Sequence, residues 1–166
     1  MVIESSTSHY SSVPQIINAT TVKGTELEGS NVDSKRSFKA NNAIDGYVET
    51  CWCVNTDKLG AAEASIEFTL SEKSLIKQIA IINGNQFHPY DGIYKSNGQV
   101  CDFTLTFSDG STQSFHADFN AGNPNEYQYF DLETPVVTDS IVLTVTSSYI
   151  GTKYSTNVSI TEFDVY

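Results

Sequence analysis

Apolar and polar residues alternate along this chain over short distances, and the alternation then breaks at turn-forming residues. Ile66, Phe68 and Leu70 are interleaved with Ser65, Glu67 and Thr69, and Phe103, Leu105 and Phe107 follow the same pattern. A period of two turns one set of side chains to a core and the other to water, the pattern of a half-buried strand. Runs of strand-forming residues recur at 16–22, 51–54, 64–70, 75–83, 101–107, 111–116, 127–132, 140–147 and 158–166, and no comparable helical stripe appears. Between two of these runs, Ser108-Asp109-Gly110-Ser111 supplies the turn residues of a tight hairpin. This many short strands with turn-rich joints predicts an all-β fold, an antiparallel jelly-roll β-sandwich.

The pattern starts near Ile16. Residues 1–15 are Ser-rich and aperiodic and read as a flexible tail or linker, leaving 16–166 as one domain. A chain of 166 residues is long enough to bury a core of that kind. Twenty acidic residues against 9 basic ones give a net charge of -11, which repels phosphate backbones and anionic bilayers. Nucleic acid is therefore excluded as a partner, and no stretch is apolar enough for membrane insertion. Cys51, Cys53 and Cys101 are too few for a disulfide scaffold. They read as buried thiols behaving as small hydrophobes, with a bridge from Cys51 or Cys53 to Cys101 as the alternative.

The segment from Ala40 to Trp52 carries the most specific pattern: Ala40, then Ala43-Ile44-Asp45-Gly46, then Thr50-Cys51-Trp52. It resembles the opening motif of discoidin-type (F5/8 type C, galactose-binding-like) domains, in particular the branch attached to streptococcal NAD glycohydrolases and bacterial surface proteins. The resemblance continues through Gly60 to Glu63, Asn83-Gly84, Tyr94, Asn97, the Asp109-Gly110 hairpin, Tyr149 to Tyr154, and Ile160 to Phe163. It departs at Gln99, where the related domains usually carry Arg, and at Ser155, Thr156 and Asn157, where acidic residues tend to follow the Lys-Tyr pair. The resemblance implies a structural calcium ion, Ca2+, held by the Asp45 carboxylate, the Thr50 hydroxyl and carbonyl, the Ala40 and Tyr47 carbonyls, and the Glu162 carboxylate. The alternative is that Asp45-Gly46 is an Asx-type turn with no metal. Trp52 reads as core packing.

Binding residues are expected in loops carried on the rigid sandwich. The segment from Asn83 to Tyr94 combines amides, an imidazole and aromatic rings, the set that recognises sugars: rings stack on apolar pyranose faces while amides pair with hydroxyls. Asn83, Gln86, His88, Tyr90, Tyr94 and Asn97 are the candidates on this side, and Tyr149, Lys153 and Tyr154 in the last loop close the other. No nucleophile elbow, zinc-protease motif, phosphate-binding glycine loop or dinucleotide fingerprint occurs. His88 with Asp91 is the least implausible acid–base pair. The expectation is a non-catalytic carbohydrate-binding module of a bacterial secreted or surface protein, attached to further domains, with a glycan as its ligand. A protein-interaction, adhesion or translocation module is the alternative.

Overall fold

The computed structural model describes residues 14–28, 37–56, 63–87 and 92–166. The strands are β1 (Ile16–Lys23), β2 (Thr25–Glu26), β3 (Trp52–Asn55), β4 (Ser65–Asn83), β5 (Asn97–Phe107), β6 (Thr112–His116), β7 (Gln128–Tyr149) and β8 (Tyr154–Val165). A 3₁₀ turn spans Ala40–Ile44, and one helical turn, α1 (Ile93–Ser96), precedes β5. Ladders join the strands in the order β1-β4-β7-β5-β8-β3-β2, with β6 on β5.

Two of the strands are much longer than their sequence runs suggest. The runs at 64–70 and 75–83 form the single strand β4, and those at 127–132 and 140–147 form β7. Both bend. The first half of β4 pairs with β1 and with the second half of β7, whereas its second half pairs with the first half of β7 and with β8. The register slips between Thr69 and Ser74, where Ser71, Glu72 and Lys73 are exposed. Irregularities of this kind let one strand turn a sandwich corner and serve both layers. The resulting fold is a β-sandwich, antiparallel except where β5 runs beside β8 in parallel through Asn97, Gly98 and Gln99.

The alternation read in the sequence lands on the core. Ile66, Phe68, Phe103, Leu105, Ile141 and Leu143 are all fully buried. Phe68 stacks on Phe163 with ring centroids 3.9 Å apart, tying β4 to β8 across the sandwich. Trp52 is buried, and its indole N–H donates to Thr21 Oγ1 at 2.8 Å. In the predicted hairpin, Gly110 has φ +85°, and Asp109 Oδ1 accepts from the Ser111 amide at 2.8 Å. No disulfide joins the cysteines. Cys51 and Cys53 face one side, as their spacing requires, in a small cluster with Phe38 and Leu27, and Cys101 is half-buried on β5.

Candidate functional site

At one end of the sandwich, three connections converge: the segment before β5, the loop from β6 to β7, and the loop from β7 to β8. Gln99 locks the first two together from inside. It is fully buried, its Nε2 donates to the carbonyls of Tyr94 (2.9 Å) and Asn120 (2.8 Å), and its Oε1 accepts from the Asn120 amide at 2.7 Å. Asn120 in turn closes its own loop on Asn123 through bonds of 2.9 and 2.8 Å. The third connection is held by backbone bonds from Thr152 to Lys95 and from Lys153 to Ser96. Gly84, Gly98 and Gly151 make these approaches possible. A Cβ at Gly84 would lie 2.7 Å from the Gln99 side chain, and one at Gly98 would overlap the Asn157 carbonyl.

This frame carries a row of rings. Tyr94 lies 6.2 Å from Phe119, and Phe119 lies 5.7 Å from Tyr149, edge to face. Phe119 is 41% exposed, while Tyr94 and Tyr149 are half-buried behind it. The Tyr149 hydroxyl donates to the Ala117 carbonyl at 2.9 Å, fixing the start of the loop that bears Phe119. Burial pushes that hydroxyl up to about 12, with a hydrogen bond to Cys101 adding to the shift, so it stays protonated as a donor. Lys153 and Tyr154 sit at the rim, the ammonium 5.3 Å from the ring centroid.

The predicted ligand residues divide accordingly. Tyr94, Tyr149, Lys153 and Tyr154 share this end, while His88 and Tyr90, together with Asp91, lie outside the described residues. Asn83 is corrected to a scaffold residue. It is fully buried, and its amide bonds the Val100 amide and carbonyl and the Asp118 carbonyl, leaving nothing for a ligand. Asn97 is corrected in the same way, buried between Ile93, Cys53 and Asn157. Gln86 is also buried, with Nε2 on the Asn83 carbonyl at 2.8 Å; its Oε1 is the buried side-chain acceptor without a partner among the described residues. Phe119, Asn120 and the role of Gln99 escaped the sequence reading. The run of Asn, Gly and Pro from Asn120 to Asn125 marked a long loop, and an aromatic at its start was the available signal.

The Ala40–Thr50 loop forms a second constellation. Asp45 Oδ1 accepts from the Tyr47 amide at 2.9 Å, and Oδ2 accepts from Thr50 Oγ1 at 2.6 Å, which also lies 3.2 Å from the Tyr47 carbonyl. Glu162 arrives from β8, with Oε1 accepting from the Gly46 amide at 3.0 Å. Burial first, then the hydrogen bond and negative charge of Asp45, push the Glu162 carboxyl up to about 8. Ala40 opens the 3₁₀ turn, its amide donating to Glu26 Oε2 at 2.9 Å. Two facing carboxylates with a hydroxyl and a carbonyl beside them are a hard-oxygen donor set that fits calcium.

Other surfaces qualify less well. A shallow cleft of about 520 Å³ lies against β1 and the 3₁₀ turn, but its polar groups bond one another: Thr21 Oγ1 donates to Glu26 Oε2 at 2.7 Å, and the Ala19 amide to Asn41 Oδ1 at 2.8 Å. Tyr127, Tyr129 and Tyr166 form a tilted row with 6.1 Å between successive rings.

Comparison with known proteins fits this fold. The chain is similar to the family 32 carbohydrate-binding module of AlyQ, solved with 4,5-unsaturated mannuronic acid: 18% identity, 92% of this chain and 95% of that one, TM-score 0.59. It is also similar to the family 32 module of NanJ from C. perfringens, solved with galactose (18% identity, 89% and 91% covered, TM-score 0.57). A third is the family 32 module of EndoD from Streptococcus pneumoniae (16% identity, 91% and 97% covered, TM-score 0.57). At these identities the likeness shows the carbohydrate-binding-module fold. A truncated AlyQ that also holds an alginate lyase domain is matched over 32% of its length. Comparison with curated proteins gave no match. Among the described residues no helix is long and apolar enough to cross a membrane. Residues 15–166 match the model of the NAD glycohydrolase translocation F5/8 type C domain, and the chain belongs to that family.

Proposed function

We propose that this domain is a non-catalytic carbohydrate-binding module of a bacterial secreted or surface protein, and that it takes its glycan at the Tyr94–Phe119–Tyr149 end. The observation that carries this reading is the exposed Phe119 ring, backed by two tyrosines and mounted on a loop that Gln99 and Asn120 hold in place. A sugar's C–H face stacks on such a ring, and a pre-organised loop loses little entropy on binding. Lys153 and the Tyr154 hydroxyl stand at the rim as partners for sugar oxygens. The relatives solved with mannuronic acid derivatives and galactose support the ligand class, and the AlyQ chain with its lyase domain supports attachment to further domains.

A structural calcium belongs to the same reading, with Asp45 and Glu162 as its carboxylates, the Thr50 hydroxyl and the Tyr47 carbonyl beside them, and the Ala40 carbonyl from the same loop. When bound, the ion neutralises the facing carboxylates and ties the Ala40–Thr50 loop to β8 near its end. Its contribution is to stability. The chain's own groups prepare the place: the Gly46 amide holds Glu162, and the Tyr47 amide holds Asp45.

The family description favours a second reading, a module that engages a protein partner during translocation. A glycan array probed with the domain in calcium, and again after chelation, separates the two. Hits on a defined sugar class that weaken in Phe119→Ala support the glycan site. A blank array from folded, calcium-loaded protein removes that reading and leaves the protein partner.

A further inference from the structure

Beside the ring cluster, on the exposed face of β5, β6 and β7, a thiol, a carboxylate and an imidazole converge. Consecutive strand residues ordinarily point to opposite faces, but β5 carries a bulge here. Val100 pairs with Ser148 and Asp102 with Ser147, leaving Cys101 as the extra residue. That irregularity brings Cys101 and Asp102 to one side. His116 stands directly opposite Asp102 on β6. Cys101 Sγ lies 3.9 Å from His116 Nδ1 and 4.0 Å from Asp102 Oδ2, and Nδ1 lies 2.8 Å from Asp102 Oδ1. A tetrahedral zinc site, with Zn–S near 2.3 Å and Zn–N or Zn–O of about 2.0–2.2 Å, separates its ligand atoms by roughly 3.4–3.6 Å. With one ligand atom taken from each side chain, all three lie within 4.8 Å of one another, so modest side-chain rotations bring them to that spacing.

The surrounding bonds orient these groups as a metal would require. Ser147 Oγ donates to Asp102 Oδ2 at 2.7 Å, fixing the carboxylate. The Tyr149 hydroxyl, whose proton goes to the Ala117 carbonyl, lies 3.5 Å from His116 Nε2 and offers that nitrogen an acceptor. With its proton on Nδ1, His116 donates to Asp102 Oδ1; a bound metal would take that proton's place, with Nε2 carrying the imidazole proton toward Tyr149. Ligating histidines and carboxylates are characteristically held by such outer partners.

We propose that Cys101, Asp102 and His116 form a surface site for a borderline-soft divalent metal of the zinc class, with its remaining coordination position open to solvent. The thiolate selects against calcium and magnesium, so this site is distinct from the calcium loop in chemistry as well as in place. Through Tyr149 and Ala117 it adjoins the loop that bears Phe119.

The test is titration of the whole chain with Co2+ in excess calcium, under reducing conditions. One cobalt per chain should bind with a thiolate-to-cobalt charge-transfer band, Zn2+ should displace it, and Cys101→Ser and His116→Ala should each abolish the band. Ser147→Ala should weaken binding by about 10-fold. In the unaltered protein, Zn2+ should protect Cys101 from alkylation read by mass spectrometry, a measurement that needs no variant to fold. Absence of the band, its persistence in Cys101→Ser, or unchanged alkylation of Cys101 under saturating Zn2+ would overturn the proposal.

Discussion

Glu162 is the residue whose surroundings most constrain it. Folded, and without a cation, it keeps its proton up to about 8, whereas an ordinary carboxyl releases it near 4.5. The folded state therefore holds more protons than the unfolded chain between these values, and stability falls as the pH rises through that window. Thermal melts of chelated protein should show this decline between about pH 4.5 and 8. Added calcium should raise the melting temperature most at the alkaline end, and Glu162→Gln should flatten the chelated profile. Asp45→Asn should remove most of the calcium response. At the ring cluster, Phe119→Ala should weaken glycan binding by about tenfold, a loss of ~1.4 kcal/mol, with little change in melting temperature. Tyr149→Phe should act more gently, because it keeps the ring behind Phe119 and removes only the hydroxyl held by Ala117.

Among the elements, the approach of β5 to β8 decides whether the loops assemble. Gly98 sits where any side chain would overlap the Asn157 carbonyl and come within 3.2 Å of that of Tyr149. Gly98→Ala should cost about 1–3 kcal/mol by denaturant unfolding, the range for forcing atoms into a packed region. It should weaken glycan binding as well, since β8 and the loop before it carry Lys153 and Tyr154. The strand runs and the Asp109-Gly110 hairpin were legible because a two-residue period and turn chemistry are local signals. The joining of 64–70 to 75–83 into β4 was not, since Ser71, Glu72 and Lys73 are exposed and read locally as a break. Nor was the burial of Asn83 and Asn97. Polar residues read as surface, and partners that satisfy them, Val100 and Asp118 for Asn83 and Asn157 for Asn97, lie far along the chain. Asp45, Gly46 and Thr50 were visible as a motif, whereas the arrival of Glu162 from far along the chain was implied only by the family resemblance. The cluster of Cys101 and Asp102 depends on a bulge that no spacing rule reveals.

Across the whole molecule, a net charge of -11 is distributed over a chain whose ring-bearing end carries Lys95 and Lys153 on adjoining backbone. One family model spans 15–166. In the proposed reading, glycan binding belongs to a single end of this sandwich, and the ion loop supports the fold. The most direct test is an NMR titration of the isotopically labelled, calcium-loaded protein with the best glycan from the array. Perturbations clustered at Tyr94, Phe119, Tyr149 and Lys153 are predicted, with the amides of Tyr127, Tyr129 and Tyr166 unmoved. Perturbations confined to that tyrosine row, or to the cleft along β1, would contradict it.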